Sequence, residues 1–269
     1  TDVTDESNAV FTIKGSLVIT APDGGEVLVI GGSPFNITWT KTGTVGNAKL
    51  EYSTDAGATY PNLITASVDS SLLTYSWAVP NAPTTQGRVK ITGIADSTVT
   101  DSSNVNFRIR GNLDLTSPNG AEPWNINSQK SITWNVTGAI ANAKLEYSTD
   151  AGATYPNLIV ASTLAAAGSY TWTIPDAPTS QARVRITDTA DSTVTDSSLA
   201  NFNIKPSVTL AAPNGGDVFK VNSSQNITWS MVGTIANVKL EYSTDGGTTY
   251  PYVIIASTPA AALSYTWSV

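Results

Sequence analysis

The sequence contains neither cysteine nor histidine in its 269 residues. Without cysteine there are no disulfide bridges, thiolate nucleophiles or cysteine zinc sites, and without histidine the most common acid–base catalyst and metal ligand is missing. Charge is scarce too, since charged residues make up 13% of the chain and the net charge is −7. Nucleic acids and anionic membranes bind clustered basic residues, so neither partner is predicted.

Long hydrophobic runs are also lacking. The longest, Val27 to Ile30, is followed by two glycines and is far too short to cross a bilayer, so no membrane span is predicted. The chain is nevertheless 41% hydrophobic, which is too apolar for a disordered polyampholyte. Packed cores are therefore expected.

An internal repeat is the dominant feature of the sequence. The segment LEYSTDAGATYPNLI at 50–64 recurs unchanged at 145–159 and as LEYSTDGGTTYPYVI at 240–254, which gives a period of 95 residues. Tryptophans recur at the same spacing outside this segment. A period of this length is too long for common solenoid repeats but fits a small β-sandwich of about 100 residues.

Alternating apolar and polar residues predict the strands of each copy. In the middle copy the pattern covers 131–136, 144–149, 169–174 and 183–187, and further strands are predicted at 113–116, 155–159 and 201–205. Turn-forming clusters separate these segments and no helix is predicted. Seven short strands indicate an all-β fold: tandem antiparallel sandwiches of immunoglobulin (Ig) or fibronectin III type, arranged as an elongated array.

The repeat boundaries divide the chain into units. Ig-like units are predicted at 15–110, 111–205 and 206–269, and the third lacks its last two strands. Residues 1–14 match 97–110 and are predicted to be the last strand of a preceding unit. Two explanations are open: the chain is a window on a longer repetitive polypeptide, or a neighbouring molecule supplies strands to the third unit.

The segment at the end of the third predicted strand of each copy resembles the Asp-box, S-x-D-x-G-x-T-aromatic, known from sialidase propellers and other β proteins. The aspartate is predicted to cap loop amides and the glycine to take a positive φ, which is a structural role. The Asp-box positions are Asp55, Gly57, Asp150, Gly152, Asp245 and Gly247.

The arginine cluster and tyrosine nucleophile that a sialidase needs are not found, and no copy assembles a nucleophile, a base and an orienting group. An enzyme is not predicted.

Two further groups of residues are candidate sites. Carboxylates in the D-S-T-V-T-D loops, with a third aspartate just before the loop of the middle copy, could hold calcium, although a solvated turn is the preferred explanation and no EF-hand pattern is present. The calcium candidates are Asp96, Asp101, Asp188, Asp191 and Asp196, and no other cofactor is predicted. Glycosylation sequons occur at Asn36, Asn135, Asn222 and Asn226.

Most aromatic residues occupy inward strand positions and are predicted to be core. Trp124 and Tyr252 are interpreted as exceptions without a counterpart in the other copies, which makes them candidates for a local contact. The surrounding segment 122–127 is interpreted as a variable loop.

The order P-N-G-G-E, N-I-T-W, K-L-E-Y-S-T-D-G-G-T-T-Y, S-Y-T-W, R-V-R-I-T-D and F-x-I resembles repetitive Ig-like domains of large bacterial surface proteins. It also resembles the Kre9/Knh1-type Ig-like domain of fungal cell-wall proteins. The resemblance covers essentially the whole chain. It implies an extracellular or cell-surface location and brings no catalytic residues.

The sequence thus leads to two functional hypotheses. The first is an extracellular structural repeat protein, part of a surface layer, filament or stalk, whose near-identical units associate with identical chains or neighbouring repeats. The alternative is an adhesin or carbohydrate-binding array that is accessory to a larger secreted protein, with glycans as partners.

Overall fold

The computed structural model describes residues 2–269 and is an all-β structure of tandem sandwiches of Ig and fibronectin III type. Its contacts divide it into two compact units. The first unit contains the residues up to Asn112 together with Val136–Ile140, and the second contains Leu113–Asn135 and Ala141–Val269. Within residues 2–269, no helix is long and apolar enough to cross a membrane.

The first copy of the repeat forms two sheets. The smaller sheet has the order β1-β3-β6, from β1 (Ser16–Ala21), β3 (Phe35–Thr42) and β6 (Thr74–Trp77). The larger sheet has the order β2-β9-β7-β4-β5, with β8 paired to β7. Its strands are β2 (Val27–Val29), β4 (Asn47–Ser53), β5 (Asn62–Asp69), β7 (Thr84–Gly93), β8 (Thr100–Ser102) and β9 (Phe107–Arg110). A single 3-10 turn, Ser70–Leu72, precedes β6.

The second copy repeats this topology. The smaller sheet is β10-β12-β15, and the larger is β11-β18-β16-β13-β14 with β17 paired to β16. The strands of the smaller sheet are β10 (Asn112–Ser117), β12 (Gln129–Thr137) and β15 (Ser169–Thr173). Those of the larger sheet are β11 (Pro123–Asn125), β13 (Asn142–Ser148), β14 (Asn157–Leu164), β16 (Thr179–Asp188), β17 (Thr195–Ser197) and β18 (Phe202–Lys205).

A tryptophan anchors the core of each copy. Strand β12 alternates as predicted, so Ile132 and Trp134 are buried while Ser131 and Asn135 are exposed. The indole Nε1 of Trp134 donates a hydrogen bond to the carbonyl oxygen of Ala165 at 2.8 Å, in the 3-10 turn Ala165–Ala167. Equivalent bonds join Trp39 to Ser70 and Trp229 to Ala260. The indole thus fills the space between the sheets and also satisfies a buried carbonyl.

The third copy contains five strands. Its smaller sheet is β19 (Ser207–Ala212), β20 (Ser224–Val232) and β23 (Ser264–Ser268), and β21 (Asn237–Tyr242) pairs with β22 (Tyr252–Pro259). A 3-10 turn, Ala260–Ala262, precedes β23. Val208 and Leu210 are 45% and 44% exposed, whereas their counterparts Leu113 and Leu115 are 3% and 1% exposed. They line a cleft of about 470 Å³ between the two sheets.

The structure corrects several predictions made from the sequence. The second copy has nine strands rather than seven, because β11 and β17 contain only three residues each, too few for an alternating pattern to be recognised in the sequence. Strand β11 also runs parallel to β18, in a sandwich that is otherwise antiparallel. Residues 2–14 lie outside every sheet, with Val10, Phe11 and Ile13 exposed. Their assignment to a preceding unit stays a prediction.

Candidate interaction surfaces

The Asp-box hairpins have the same geometry in all three copies. In the first, Asp55 accepts hydrogen bonds from the Thr59 backbone N–H at 3.0 Å, the Thr59 hydroxyl at 2.6 Å and the Ser53 hydroxyl at 2.5 Å. Ser53 is fully buried and its oxygen accepts the Gly57 amide at 2.9 Å. Gly57 has φ +86°, and a Cβ there would lie 2.9 Å from the Tyr60 hydroxyl. Every donor to the carboxylate belongs to the hairpin itself, so the geometry is that of a turn and not of a ligand site.

These hydrogen bonds stabilise the charged form of the aspartate. The Ser53 hydroxyl, followed by the Thr59 hydroxyl and amide, lowers the pKa of Asp55 to about 2. The equivalent donors Ser148 and Thr154 lower the pKa of Asp150 to about 2, and Ser243 and Thr249 lower the pKa of Asp245.

We expect the first two copies to lose stability in acid because of these residues. The pKa of Asp55 and Asp150 is lower in the folded chain than the ordinary value of 3.8. Between about pH 2 and pH 4 the unfolded chain therefore binds more protons than the folded chain. The stabilisation is complete above about pH 4 and is lost as the pH falls through about 2. Urea unfolding midpoints between these pH values measure the effect. The Asp55→Asn/Asp150→Asn variant should show a shallower pH slope, and a slope equal to that of the wild type would contradict this role.

The calcium candidates bind protein donors. Asp101 on β8 accepts the backbone amide of Ile19 on β1 at 2.7 Å, and Asp196 on β17 accepts that of Leu115 on β10 at 2.6 Å. Each bond crosses from the larger sheet to an edge strand of the smaller sheet. An edge strand presents unpaired N–H groups that favour pairing with other chains, so these aspartates cap the edge.

The other three candidates cap their own loops. Asp96 accepts the amide and hydroxyl of Thr98, and its Oδ2 lies 3.0 Å from the Lys14 ammonium. Thr98 and then Lys14 lower the pKa of Asp96 to about 2. Asp191 accepts the amide of Thr193, and Asp188 that of Ala190. Among residues 2–269, no group of three or more acidic side chains is arranged to hold a metal ion.

The segment 122–127 is part of the sandwich and not a variable surface loop. Trp124 is 5% exposed and packs against Phe202 and Trp172, with ring centroids 4.9 and 6.1 Å away. The prediction of a surface contact at Trp124 is therefore wrong. Leu28 and Phe219 occupy the same position in the other copies, so the site is always apolar. Tyr252 is 46% exposed and stacks on Tyr242 with centroids 4.9 Å apart.

The four sequon asparagines are exposed. Asn36 and Asn226 occupy the same outward position, on β3 and β20. The Asn135 amide donates to Asp114, and Asn222 lies in a turn with φ +64°. All four side chains are accessible for modification.

The outer face of the smaller sheet is nearly free of charge in every copy, and we call it the hydroxyl face. It is built from the outward residues of three strands, which are mostly Ser, Thr and Asn. In the first copy these are Ser16, Val18, Thr20, Asn36, Thr38, Thr40, Thr42, Thr74 and Ser76. In the second they are Asp114, Thr116, Gln129, Ser131, Thr133, Asn135, Ser169, Thr171 and Thr173. In the third they are Ser207, Thr209, Ala211, Ser224, Asn226, Thr228, Ser230, Val232, Ser264, Thr266 and Ser268.

The hydroxyl face is ordered by its own hydrogen bonds. The hydroxyls of Thr20 and Thr38 are 2.7 Å apart, and those of Thr116 and Thr133 are also 2.7 Å apart. The Thr266 hydroxyl donates to Asn226 at 2.9 Å. Cross-strand bonds therefore fix polar groups on a surface whose only charge, among these positions, is Asp114.

The charged residues lie instead on the outer face of the larger sheet. Glu51 accepts from Lys49 at 2.9 Å and lies 3.7 Å from Lys90. In the second copy Glu146 pairs with Lys144 at 2.9 Å and with Arg185 at 2.8 Å. Burial opposes ionisation of Glu146, but the two cations outweigh it and lower its pKa. The two faces of each sandwich thus differ in chemistry.

The first copy also has a cleft of about 590 Å³ at the side of the sandwich, between β5 and β6. Tyr52, Tyr75 and Trp77 lie in its wall, with the Tyr52 and Trp77 rings 5.2 Å apart. Tyrosine and tryptophan occupy the same three positions in the second and third copies.

Comparisons with known proteins identify no family. No protein family and no curated protein matches the sequence. Solved structures with a related arrangement include the fibronectin(III)-like modules of Clostridium thermocellum CbhA, at 18% identity and TM-score 0.25, covering 70% of this chain and 94% of that one. The four N-terminal Ig domains of Dscam1 isoform 9.44 match at 10% identity and TM-score 0.29, covering 97% and 67%. A complex of Dpr2 Ig1-Ig2 with DIP-Theta Ig1-Ig3 matches at 9% identity and TM-score 0.28, covering 89% and 82%. At these identities the likeness concerns the fold alone.

Proposed function

We propose that the chain is an extracellular structural repeat protein, a segment of a surface layer, filament or stalk, that acts by repetitive assembly and display. The modules in this proposal are the copies at 15–110, 111–205 and 206–269, with residues 1–14 ending a preceding module. The resemblance to repetitive surface proteins supports the location. The exposed sequons are compatible with a glycosylated surface.

The observation that carries the proposal is the recurrence of the hydroxyl face. Each copy presents Ser, Thr and Asn at matching outward positions on the central strand and on the last strand of the smaller sheet. A partner surface that fits one copy finds the same groups on the next, so weak single contacts add up along the chain. Because the chain carries a net charge of −7, identical chains repel one another least where a surface is neutral. The hydroxyl face is therefore the surface through which we expect copies to associate.

Introducing charge on this face is expected to abolish association. Ser76, Thr171 and Thr266 are equivalent exposed residues of β6, β15 and β23. In the Ser76→Glu/Thr171→Glu/Thr266→Glu variant, like charges would face one another in the contact and weaken self-association about ten-fold or more. Sedimentation velocity over a range of concentrations measures this, and electron microscopy shows any ordered product.

A matched control carries the same added charge elsewhere. Ser67, Ser162 and Ser257 are equivalent exposed residues of β5, β14 and β22, so Ser67→Glu/Ser162→Glu/Ser257→Glu should associate like the wild type. A wild-type chain that stays monomeric at high concentration would refute assembly. Equal association of the two variants would refute the role of the hydroxyl face.

A second function, glycan binding by an adhesin or enzyme-accessory array, is supported by the aromatic cleft beside Tyr75. Sugars stack on aromatic rings, and Tyr75 is partly exposed in this cleft whereas Tyr52 and Trp77 are buried behind it. Sugars also hydrogen-bond to amide and hydroxyl groups, which Asn62 and Ser76 offer here. Binding to immobilised neutral polysaccharide by a chain that remains monomeric would favour this alternative over assembly.

A further inference from the structure

The linker between the second and third copies is very short. Strand β18 ends at Lys205, β19 begins at Ser207, and only Pro206 separates them. The third copy and most of the second, including Ile126 and Asp176, belong to the same compact unit. The ring of Pro206 restricts its own backbone φ, but one residue does not by itself fix the orientation of two sandwiches.

A carboxylate of the second copy binds a turn of the third beside this linker. Asp176 lies in the loop after β15, and Thr234 lies in the turn between β20 and β21. Oδ1 of Asp176 accepts the backbone amide of Thr234 at 2.8 Å, and Oδ2 accepts its hydroxyl at 2.8 Å. Because each carboxylate oxygen accepts one bond, the pair defines both the orientation of the turn relative to Asp176 and its distance from Asp176.

The same turn sits against an apolar residue of the second copy. Gly233, which precedes Thr234, has φ +84°, and a Cβ on it would lie 2.4 Å from Cδ1 of Ile126. Ile126 itself is 3% exposed. Glycine is required here for two reasons, the left-handed backbone and the close approach to the isoleucine.

The first unit contains the same arrangement at the equivalent sequence positions. Oδ1 of Asn81 accepts the backbone amide of Ala139 at 3.0 Å. Gly138 has φ +84°, and a Cβ on it would lie 2.8 Å from Cδ1 of Ile30, which is 6% exposed. Asn81 and Asp176 occupy the same place in the P-N-A-P and P-D-A-P loops. Two independent occurrences, with an amide in one and a carboxylate in the other, indicate a property of the repeat.

We propose that each copy carries a docking socket, formed by Ile126 and Asp176 in the second copy and by Ile30 and Asn81 in the first. Its partner is the glycine turn of another copy of the repeat. In the second unit the socket holds the third copy in one orientation, which gives equivalent surfaces of these two copies a fixed offset. The inference goes beyond the proposed function, because the socket acts whether or not chains assemble.

The cysteine-free chain allows a direct test of this orientation. Cysteines introduced by Ser162→Cys and Ser257→Cys would be the only thiols, at equivalent exposed positions of the second and third copies. With nitroxide labels at both, double electron–electron resonance gives the distribution of distances between the two copies. A narrow single distribution is expected for the labelled chain.

Removing the acceptor is expected to release the third copy. Asp176→Ala loses both bonds to a charged group, so the undocked population should rise about ten-fold and the distribution should broaden. Asp176→Asn keeps an acceptor for the Thr234 amide, as Asn81 does for Ala139, and should remain narrow. Asn81→Ala removes the equivalent acceptor from the first copy and should leave the distribution unchanged.

Two outcomes would overturn the proposal. One is a broad distribution in the otherwise unaltered chain, and the other is a distribution for Asp176→Ala that is as narrow as the parent. Equal melting midpoints of the variants establish that broadening comes from undocking and not from unfolding. The labelled chain is measured under dilute, monomeric conditions, so failure of the socket is distinguishable from failure of the assembly proposal.

Discussion

Replacing Trp134 by alanine is expected to lower the free energy of unfolding of the second copy by about 3–5 kcal/mol. Trp134 is 3% exposed in the centre of β12, and its removal leaves a cavity between the two sheets. It also removes one of two donors to the carbonyl of Ala165, a fully buried residue that keeps only the Gly168 amide at 3.2 Å. Hydrogen–deuterium exchange of the amides of β13 and β16 measures the loss of stability in the second copy alone. A two-state analysis of the unfolding of the whole chain would average this loss over all copies.

Two variants separate the contributions to this effect. Trp134→Phe retains an aromatic ring but no N–H group, so it should lose about 1–3 kcal/mol, for the lost hydrogen bond and the smaller ring together. Trp229→Ala removes the equivalent residue of the third copy and should leave exchange in β13 and β16 unchanged. If Trp134→Ala costs less than about 1 kcal/mol, the indole does not anchor this core.

Replacing Asp196 by alanine should destabilise the second copy by about 1.5–3 kcal/mol, because a hydrogen bond to a charged acceptor is lost. The acceptor serves the amide of Leu115, whose side chain is 1% exposed, on the edge strand β10. Asp196→Asn keeps an oxygen within reach of this amide and should recover most of the loss. Amide exchange at Leu115 and thermal unfolding report the effect.

The same measurements separate edge capping from cation binding. If Asp196 acts through the Leu115 amide, calcium and a chelator should leave the wild-type melting temperature unchanged. A rise in melting temperature with calcium that disappears in Asp196→Ala would contradict the capping role.

The sequence predicts those strands that are long enough to show alternation. Strand β12 buries Ile132 and Trp134 as its pattern requires, and β16 buries Val184 and Ile186. Strand β11 is only three residues long and begins with Pro123, so no period could be read from it. The error at Trp124 follows from this, because the local sequence gives no sign that this residue lies in a strand.

The roles of the acidic residues depend on contacts between distant segments. The local sequence D-S-T-V-T-D is compatible with a cation site, but the partner of Asp196 is an amide 81 residues away. Likewise the P-D-A-P loop gives no local sign that Asp176 binds Thr234, 58 residues later. The Asp-box was easier to predict, since all its donors lie within four residues of Asp55.

The separation of charge between the two sheets has a consequence for how the molecule responds to its medium. Dissolved ions screen charges beyond about 10 Å at 0.1 M salt, so contacts of the Lys49–Glu51 face would weaken as salt rises. Hydroxyl groups offer no net charge for ions to screen. A contact made through the Thr20–Thr38 side of the sandwich would therefore hold at least as well at high salt as in dilute buffer, where the net charge of −7 makes identical chains repel one another most.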